Sequence, residues 1–237
     1  MKKERNHING VLLVDKPADW TSFDVVNCIR RHFNLDKTGH CGTLDPFATG
    51  LLVILLGRAT KWQDRLMAQD KEYTGTMKLG VCTDSQDLTG QTVSVSPLPE
   101  LAPPQWQCAA DTFLGDSLQI PPMHSAIKLN GQPLYKLAHK GREIERPPRP
   151  VHISVFSLTA FRLPEIDFSV RCSKGTYIRT LAADFGMKIG CGAHLTALRR
   201  TASGRHSIRD AFTLETIRTW TTDDLQAHLH PEENEDI

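Results

Sequence analysis

Apolar and polar positions follow two spacings along this chain, and each spacing predicts one kind of element. Two short and nearly continuous apolar runs, residues 10–14 and 51–56, are typical of buried strands. Alternation of apolar and polar positions elsewhere predicts half-buried strands. The predicted strands cover residues 10–14, 51–56, 73–81, 151–158, 166–172, 193–201 and 206–209. Asn130-Gly131 adds a predicted hairpin, because this dipeptide favours tight two-residue turns.

Helical spacing predicts fewer helices between these strands. After a cap at Thr21 or Ser22, the apolar residues Val25, Val26 and Ile29 fall on one helical face. The predicted helices cover about residues 22–33, 59–68, 105–114, 134–139, 178–189, 213–220 and 221–229. Strands outnumber helices and many are connected locally. We therefore predict an α+β fold, a mostly antiparallel mixed sheet flanked by helices.

One carboxylate lies in an unusual setting before the second apolar strand. Asp45 lies in a glycine-rich loop, residues 39–50, and Pro46 follows it directly. Glycine and proline give a loop a defined shape, so this loop holds Asp45 at the mouth of a buried strand. A single Asp in a rigid loop is a candidate nucleophile. The alternative from this segment alone is an Asp that only caps a turn.

The charge of the chain is close to neutral but unevenly distributed. The formal net charge is +1, from 28 basic and 27 acidic side chains. Basic residues dominate residues 128–149 and 171–209, whereas acidic residues dominate beyond residue 213. Two basic regions in a neutral protein favour a surface that binds a polyanion. A basic face that is only solvated is the alternative.

Cysteine usage and hydropathy argue against several classes of protein. The six cysteines are scattered without a Cys-x-x-Cys pair, which argues against a zinc site and a disulfide framework. The longest apolar run, residues 51–56, is too short to span a bilayer, and no apolar signal-peptide core follows the basic N-terminus. We therefore expect a cytoplasmic protein with no metal and no membrane partner.

Five ordered motifs place the Asp45 loop in a wider pattern. They are Asp15-Lys16-Pro17, residues 39–50, Lys71-Glu72-Tyr73, residues 172–180 and Leu198-Arg199-Arg200. Together they resemble the TruB family of tRNA pseudouridine synthases over about residues 10–209. The resemblance implies the pseudouridine synthase catalytic fold and isomerisation of a T-loop uridine of tRNA, at nucleotide position 55. It also implies that no cofactor is needed, because the rearrangement is redox-neutral.

The resemblance implies catalytic and base-binding roles for residues in these motifs. Asp45 becomes the nucleophile, and attack on the base and attack on the sugar both stay open. Arg179 is expected to form a bidentate pair with Asp45 and to hold it ionised. Tyr73 offers a face for a flipped uracil, and Tyr177 contacts the flipped nucleotide and helps to move a proton. Without the resemblance, both tyrosines would be interpreted as core residues.

Further residues are expected to shape the pocket and to bind the RNA backbone. His40 is expected to fill the space that the extruded base vacates, and Leu198 to line the uracil pocket. Lys16 is expected to support the backbone rather than to act in catalysis. The residues expected to neutralise phosphates are Lys128, Lys140, Arg142, Arg199 and Arg200. The first three lie in a basic excursion that is, in the family, a mobile thumb closing over the RNA loop.

The same pattern predicts how the chain is organised. We expect residues 1–213 to form the catalytic domain, with the thumb inserted at about residues 120–150. The acidic residues 214–237 are expected to form a short extension, without the further RNA-binding PUA domain that many bacterial members carry. The expected partner is the T-arm of tRNA, bound by a monomer.

Two other functions fit part of the pattern. A non-catalytic RNA-binding protein or tRNA-folding chaperone would have the basic surface, but it needs no nucleophile. A phosphatase with an Asp nucleophile would carry a second acid two residues later, where this chain has Phe47. The range of RNA substrates and the role of the acidic tail are open at this point.

Overall fold

The described part of the chain falls into two compact units. The computed structural model describes residues 5–123, 125, 128–129, 132–133 and 144–231. The boundary between the units lies between Tyr73 and Thr74 and again between Leu198 and Arg199. The first unit thus contains the chain before Thr74 and after Leu198, and the second contains the segment between them. The predicted domain boundary at residue 213 stays a prediction.

Strands and short helices alternate along both units. The strands are β1 (Gly10–Lys16), β2 (Thr38–Cys41), β3 (Thr49–Leu56), β4 (Lys71–Leu79), β5 (Val81–Thr83), β6 (Thr92–Val95), β7 (Gly115–Gln119), β8 (Lys128–Leu129), β9 (Gln132–Pro133), β10 (Arg149–Arg162), β11 (Glu165–Cys172), β12 (Ala193–Ser203), β13 (His206–Ser207) and β14 (Phe212–Thr213). The helices are α1 (Ser22–His32), α2 (Gln63–Met67), α3 (Pro103–Asp111), α4 (Ile178–Lys188), α5 (Leu214–Ile217) and α6 (Thr222–Ala227), with 3₁₀ turns at Gly57–Trp62 and Ile208–Asp210.

Strand β3 is the centre of the sheet in the first unit. It pairs antiparallel with β1 from Leu56 to Gly50, and antiparallel with β2 over its last four residues. Its first two residues pair in parallel with Arg199 and Arg200 of β12. The chain between β2 and β3, residues 42–48, therefore enters β3 beside Arg199 and Arg200 of β12.

The apolar run in β3 is buried on both faces of this sheet. Leu52 and Ile54 pack with Val25 and Ile29 of α1, while the alternate residues of β3 pack on the opposite face. Helix α1 begins after Thr21, whose side chain caps the helix as the sequence predicts. Two packed faces explain why β3 is apolar throughout rather than alternating.

In the second unit, β10 lies between β7 and β11 and is antiparallel to both. Phe156 of β10 contacts Phe168 of β11 and Phe185 of α4, edge to face, with ring centroids 5.8 and 5.9 Å apart. Trp106 of α3 is buried. These aromatic contacts hold α4 against the sheet, and α4 carries part of the fourth motif, residues 172–180.

The α+β prediction and all seven predicted strands are confirmed, with small shifts in their bounds. The prediction of one loop over residues 39–50 is wrong at both ends, because β2 and the start of β3 take up part of it. The predicted helix over residues 134–139 lies outside the described residues. Within the described ranges, no helix is long and apolar enough to cross a membrane.

Candidate active site

Asp45 lies in the middle of the loop that joins β2 to β3, residues 42–48, which we call the Asp45 loop. The Asp45 side chain is half-buried, and its main-chain carbonyl accepts a hydrogen bond of 3.1 Å from the Ala48 amide. The preceding residue, Leu44, is held by the hydroxyl of Ser22 at the start of α1. The Leu44 amide donates to Ser22 Oγ at 2.9 Å, and Oγ donates to the Leu44 carbonyl at 3.3 Å.

Lys16, at the end of β1, bonds to Pro46, the residue that follows Asp45. Its side chain is fully buried, and Nζ donates to three main-chain carbonyls. The acceptors, at 2.8, 2.7 and 3.0 Å, are those of Pro17, Trp20 and Pro46. Burial lowers the pKa of Lys16 to about 8, against the opposing attraction of Asp45 and Asp19. Three main-chain acceptors fit the predicted backbone-supporting role of Lys16, and its predicted lack of a catalytic role stays a prediction.

Arg200 reaches the Asp45 loop from β12. The residue is 1 % exposed, and its Nε donates to the Leu51 carbonyl at 2.7 Å. Its Nη2 donates to the Gly42 carbonyl at 3.2 Å. The sequence predicts that Arg200 binds RNA phosphate, but its burial and its two main-chain acceptors turn the guanidinium into the protein.

The neighbouring Arg199 has a different environment. Its Nη1 and Nη2 donate to the two carboxylate oxygens of Asp15, at 3.0 and 2.7 Å, in a bidentate pair. The Arg199 side chain is 41 % exposed. The pair joins the first motif to the last one, and the predicted phosphate contact of Arg199 stays a prediction.

His40 and Cys41 end β2, just before the Asp45 loop. His40 is half-buried, and its Nδ1 is buried with no hydrogen-bond partner among the described residues. Burial, followed by the positive charge of Arg200, lowers the pKa of His40, so its imidazole is neutral at pH 7. Burial raises the pKa of the Cys41 thiol to about 11, so this cysteine is no rival nucleophile.

The third motif forms the start of β4. Lys71 is buried, and its Nζ donates to the carbonyls of Met67 and Gln69 at 2.6 and 2.5 Å. Tyr73, two residues later, is half-buried and is the last residue of the first of the two segments that form the first unit. Its predicted stacking role stays a prediction.

In the second unit, Arg179 lies in the first turn of α4 and is 3 % exposed. Its Nη1 donates to the Ser85 carbonyl at 3.0 Å and lies 3.5 Å from Asp87 Oδ2. The other Asp87 oxygen accepts from the hydroxyls of Ser85 and Thr89, both at 2.6 Å. Arg179 is thus oriented by a hydrogen-bonded carboxylate, while its predicted pairing with Asp45 stays a prediction.

Tyr177 and Leu198 are the other predicted site residues of the second unit. Tyr177 directly precedes α4, and its amide donates to Gln119 Oε1 at 2.7 Å. Its carbonyl accepts from Gln119 Nε2 at 3.1 Å, so one side chain fixes both main-chain groups of Tyr177. Leu198 is 7 % exposed in β12.

The structure describes only part of the predicted thumb. Lys128 lies in β8, which pairs with β9 as the predicted hairpin requires. Lys140 and Arg142 lie outside the described residues. Sequence reasoning missed Ser22, Asp87 and Gln119 because each acts on a group distant in the chain and no local pattern marks such a contact.

Two family models match consecutive parts of this chain. The TruB family pseudouridylate synthase N-terminal domain matches residues 30–178. The tRNA pseudouridylate synthase B C-terminal domain matches residues 179–234. Their junction falls between Ile178 and Arg179, in the motif that contains Tyr177.

Curated relatives agree with the family models. The tRNA pseudouridine synthase B of Opitutus terrae is 50% identical over 231 residues, covering 98% of this chain and 96% of that protein. The tRNA pseudouridine synthase B of Francisella tularensis subsp. novicida is 47% identical over 219 residues, covering 92% of this chain and 72% of that protein.

Solved structures agree on the fold. A chain of a Cbf5–Nop10–Gar1 complex is 29% identical with a TM-score of 0.71, covering 92% of this chain and 57% of that one. A chain of an archaeal box H/ACA sRNP Nop10–Cbf5 complex is 27% identical with a TM-score of 0.68, covering 96% of this chain and 64% of that one. This chain therefore spans less than two thirds of either solved chain. The two family models and the relatives lead to one conclusion: the chain belongs to the TruB family of pseudouridylate synthases and is an isomerase of uridine in tRNA.

Proposed function

We propose that the chain isomerises the uridine at nucleotide position 55 in the T-loop of tRNA, with Asp45 as the nucleophile. The observation that carries this proposal is the anchoring of both neighbours of Asp45, Leu44 by Ser22 and Pro46 by Lys16. An Asp that only caps a turn needs no such anchors. A nucleophile does, because its carboxylate must meet one atom of the substrate in a defined direction.

The reaction is a rearrangement within one nucleotide. The N1–C1′ bond breaks and a C5–C1′ bond forms, while C5 loses a proton and N1 gains one, so atoms and electrons balance without an oxidant or reductant. The target atoms lie inside a folded RNA loop, so the base must first leave its stack. The cost of unstacking, a few kcal/mol, has to be offset by contacts that the flipped base makes with the protein.

We assign the contacts with the flipped nucleotide to four residues of the motifs. Tyr73 stacks on the uracil, Leu198 forms an apolar wall of its pocket, and Tyr177 contacts the nucleotide and helps to move the C5 proton. His40, as a neutral imidazole, occupies the space that the base leaves. The fixing of both Tyr177 main-chain groups by Gln119 supports a defined position for Tyr177.

Arg179 is the proposed partner of Asp45. Its guanidinium is held by Ser85 and Asp87, so little conformational entropy remains to be lost when it meets a second carboxylate. We expect Arg179→Lys to retain the charge but to lose activity, since an ammonium lacks the planar fork that a bidentate pair requires.

The T-arm of tRNA is the proposed partner, bound by a monomer in the cytoplasm. Arg199 and the thumb residues Lys128, Lys140 and Arg142 are the proposed phosphate contacts. Each such contact adds about one unit to the slope of log Kd against log salt. We therefore expect Arg142→Ala to weaken binding of tRNA and to lower that slope, whereas an unchanged slope would remove Arg142 from the set.

The direct test uses unmodified tRNA transcript labelled with tritium at C5 of uridine. The wild-type protein should release tritium, because C5 loses its proton, and pseudouridine should map to the T-loop position. Asp45→Asn should release none, while the surface variant Asp36→Asn, at a carboxylate 40 % exposed, should match wild type. Undiminished product from Asp45→Asn would refute the role of Asp45. Binding without product from the wild type would instead support the chaperone alternative.

A further inference from the structure

One buried guanidinium bonds to main-chain carbonyls on both sides of Asp45, at the start of the Asp45 loop and in β3. Arg200 Nη2 donates to the carbonyl of Gly42, the first residue of the loop, and Nε donates to the carbonyl of Leu51 in β3, three residues after the loop ends. The two nitrogens belong to one rigid planar group, so the separation of the two carbonyls is fixed by the geometry of the guanidinium.

The backbone around Arg200 is fitted to this arrangement. Gly42 has a φ of +85° and Gly50 a φ of +100°, a region that side-chain-bearing residues rarely adopt. Arg200 also pairs with Gly50 in the parallel ladder between β12 and β3. A Cβ on Gly50 would overlap the main-chain oxygen of Arg200. The main chains of β3 and β12 therefore approach each other so closely here that only glycine fits at position 50.

We propose that Arg200 is a positioning residue that sets the direction of the Asp45 carboxylate by closing the Asp45 loop. Arg200 acts through the main chain of the loop and has no contact with substrate. Ser22 and Lys16 fix the two residues beside Asp45, and Arg200 fixes Gly42 and Leu51, between which those residues lie. This inference rests on the proposed role of Asp45 as the nucleophile.

The burial of Arg200 separates this role from phosphate binding. A phosphate contact requires an accessible guanidinium, and Arg200 is 1 % exposed whereas the adjacent Arg199 is 41 % exposed in its side chain. A buried guanidinium that lost its acceptors would also be costly, which ties Arg200 to the loop geometry. The two arginines, adjacent in sequence, should therefore have different kinetic signatures.

The test compares Arg200→Gln, Arg200→Lys and Arg199→Gln in single-turnover and steady-state assays with tritiated tRNA transcript. Arg200→Gln should lower kcat by about 100-fold, the effect of a misplacement near 1 Å. Its Kd for tRNA and the salt slope of that Kd should stay within about twofold of wild type. Arg199→Gln should do the reverse, weakening binding and lowering the salt slope by about one unit. The exposed Arg30→Gln should change neither.

Arg200→Lys keeps the charge but cannot reach both carbonyls, so its kcat should also fall. It decides the question if Arg200→Gln does not fold, which a thermal melt would reveal. A wild-type kcat in Arg200→Lys, or a lowered salt slope in either Arg200 variant, would overturn the proposal. If Asp45→Asn keeps its activity, the proposed function fails; if Asp45→Asn is inactive but the Arg200 variants are active, only the positioning role fails.

Discussion

Replacing Ser22 by Ala tests whether the anchoring of the Asp45 loop matters for catalysis. Ser22 is 2 % exposed and its hydroxyl meets both main-chain groups of Leu44. The change removes one oxygen atom and leaves the start of α1 unaltered in shape. Its main consequence is that the Leu44 amide, in a residue only 3 % exposed, loses its acceptor.

The size of the effect follows from these two hydrogen bonds. Leaving a buried amide without an acceptor costs about 1–3 kcal/mol. For a chain of this length, each kcal/mol corresponds to roughly 2–4 °C in Tm. The second bond, at 3.3 Å, adds little. A loop that relaxes by about 1 Å at Leu44 misdirects Asp45, so kcat should fall about 100-fold. This loss corresponds to about 2.7 kcal/mol of activation free energy, comparable with the upper end of the loss in stability.

The assay measures Tm by calorimetry and kcat by tritium release from tRNA at a temperature well below either Tm. Thr60→Val is the matched control, since Thr60 Oγ1 donates to the Gly57 carbonyl at 2.7 Å outside the Asp45 loop. Thr60→Val should lower Tm with no change in kcat. If Ser22→Ala lowers Tm but retains the wild-type kcat, the loop does not need this anchor and the reasoning fails.

Three further predictions concern protonation and backbone space. Since the pKa of Lys16 is about 8, kcat should fall as the pH rises, with a midpoint near pH 8, because the ammonium loses its proton. Lys16→Met should have a low kcat that does not change over this range. A wild-type kcat that stays constant from pH 7 to 9.5 would contradict this prediction. Burial lowers the pKa of His206 to about 4 from 6.5, so the unfolded state takes up a proton first. As the pH falls from 6.5 to about 4, the free energy of unfolding should therefore fall by roughly 1.4 kcal/mol per pH unit. Urea titration should show this loss in the wild type and in the exposed variant His7→Gln, but not in His206→Gln. Gly50→Ala should destabilise by about 1–3 kcal/mol more than Gly175→Ala in the same titration, because both have positive φ but only Gly50 lacks room for a Cβ; equal losses would refute the overlap.

The strands could be predicted because their apolar runs mark them directly. Residues 51–56 are buried on both faces and read as a continuous apolar run. Strand β2 was missed for the opposite reason. Three of its four residues, Thr38, Gly39 and His40, are polar or glycine, and only Cys41 is buried. Its pairing with β3 therefore depends on the partner strand and leaves no periodic signal.

The sequence predicts which residues form the site, but not which hydrogen bonds they make. Asp45, Lys16 and Arg200 are all identified by their motifs, yet the acceptors of the two cations are main-chain carbonyls. Lys16 reaches Pro46, 30 residues away, and Arg200 reaches Gly42, 158 residues away. A carbonyl is present at every residue, so its position in the sequence carries no signal. For this reason Arg200 was predicted to bind phosphate, the usual partner of a basic residue in a nucleic-acid enzyme.

The choice of carbonyl acceptors has an electrostatic consequence for the nucleophile. Burying an ammonium costs several kcal/mol, and dipoles offset this cost without cancelling the charge. The carbonyl contacts of Lys16 and Arg200 thus leave net positive charge behind the Asp45 loop. The attraction of Asp45 raises the pKa of Lys16 against burial. By reciprocity the same attraction stabilises the negative charge of Asp45, as a nucleophilic carboxylate requires. Anchoring and charge are therefore supplied by the same side chains, and a substitution that neutralises Lys16 alters both at once.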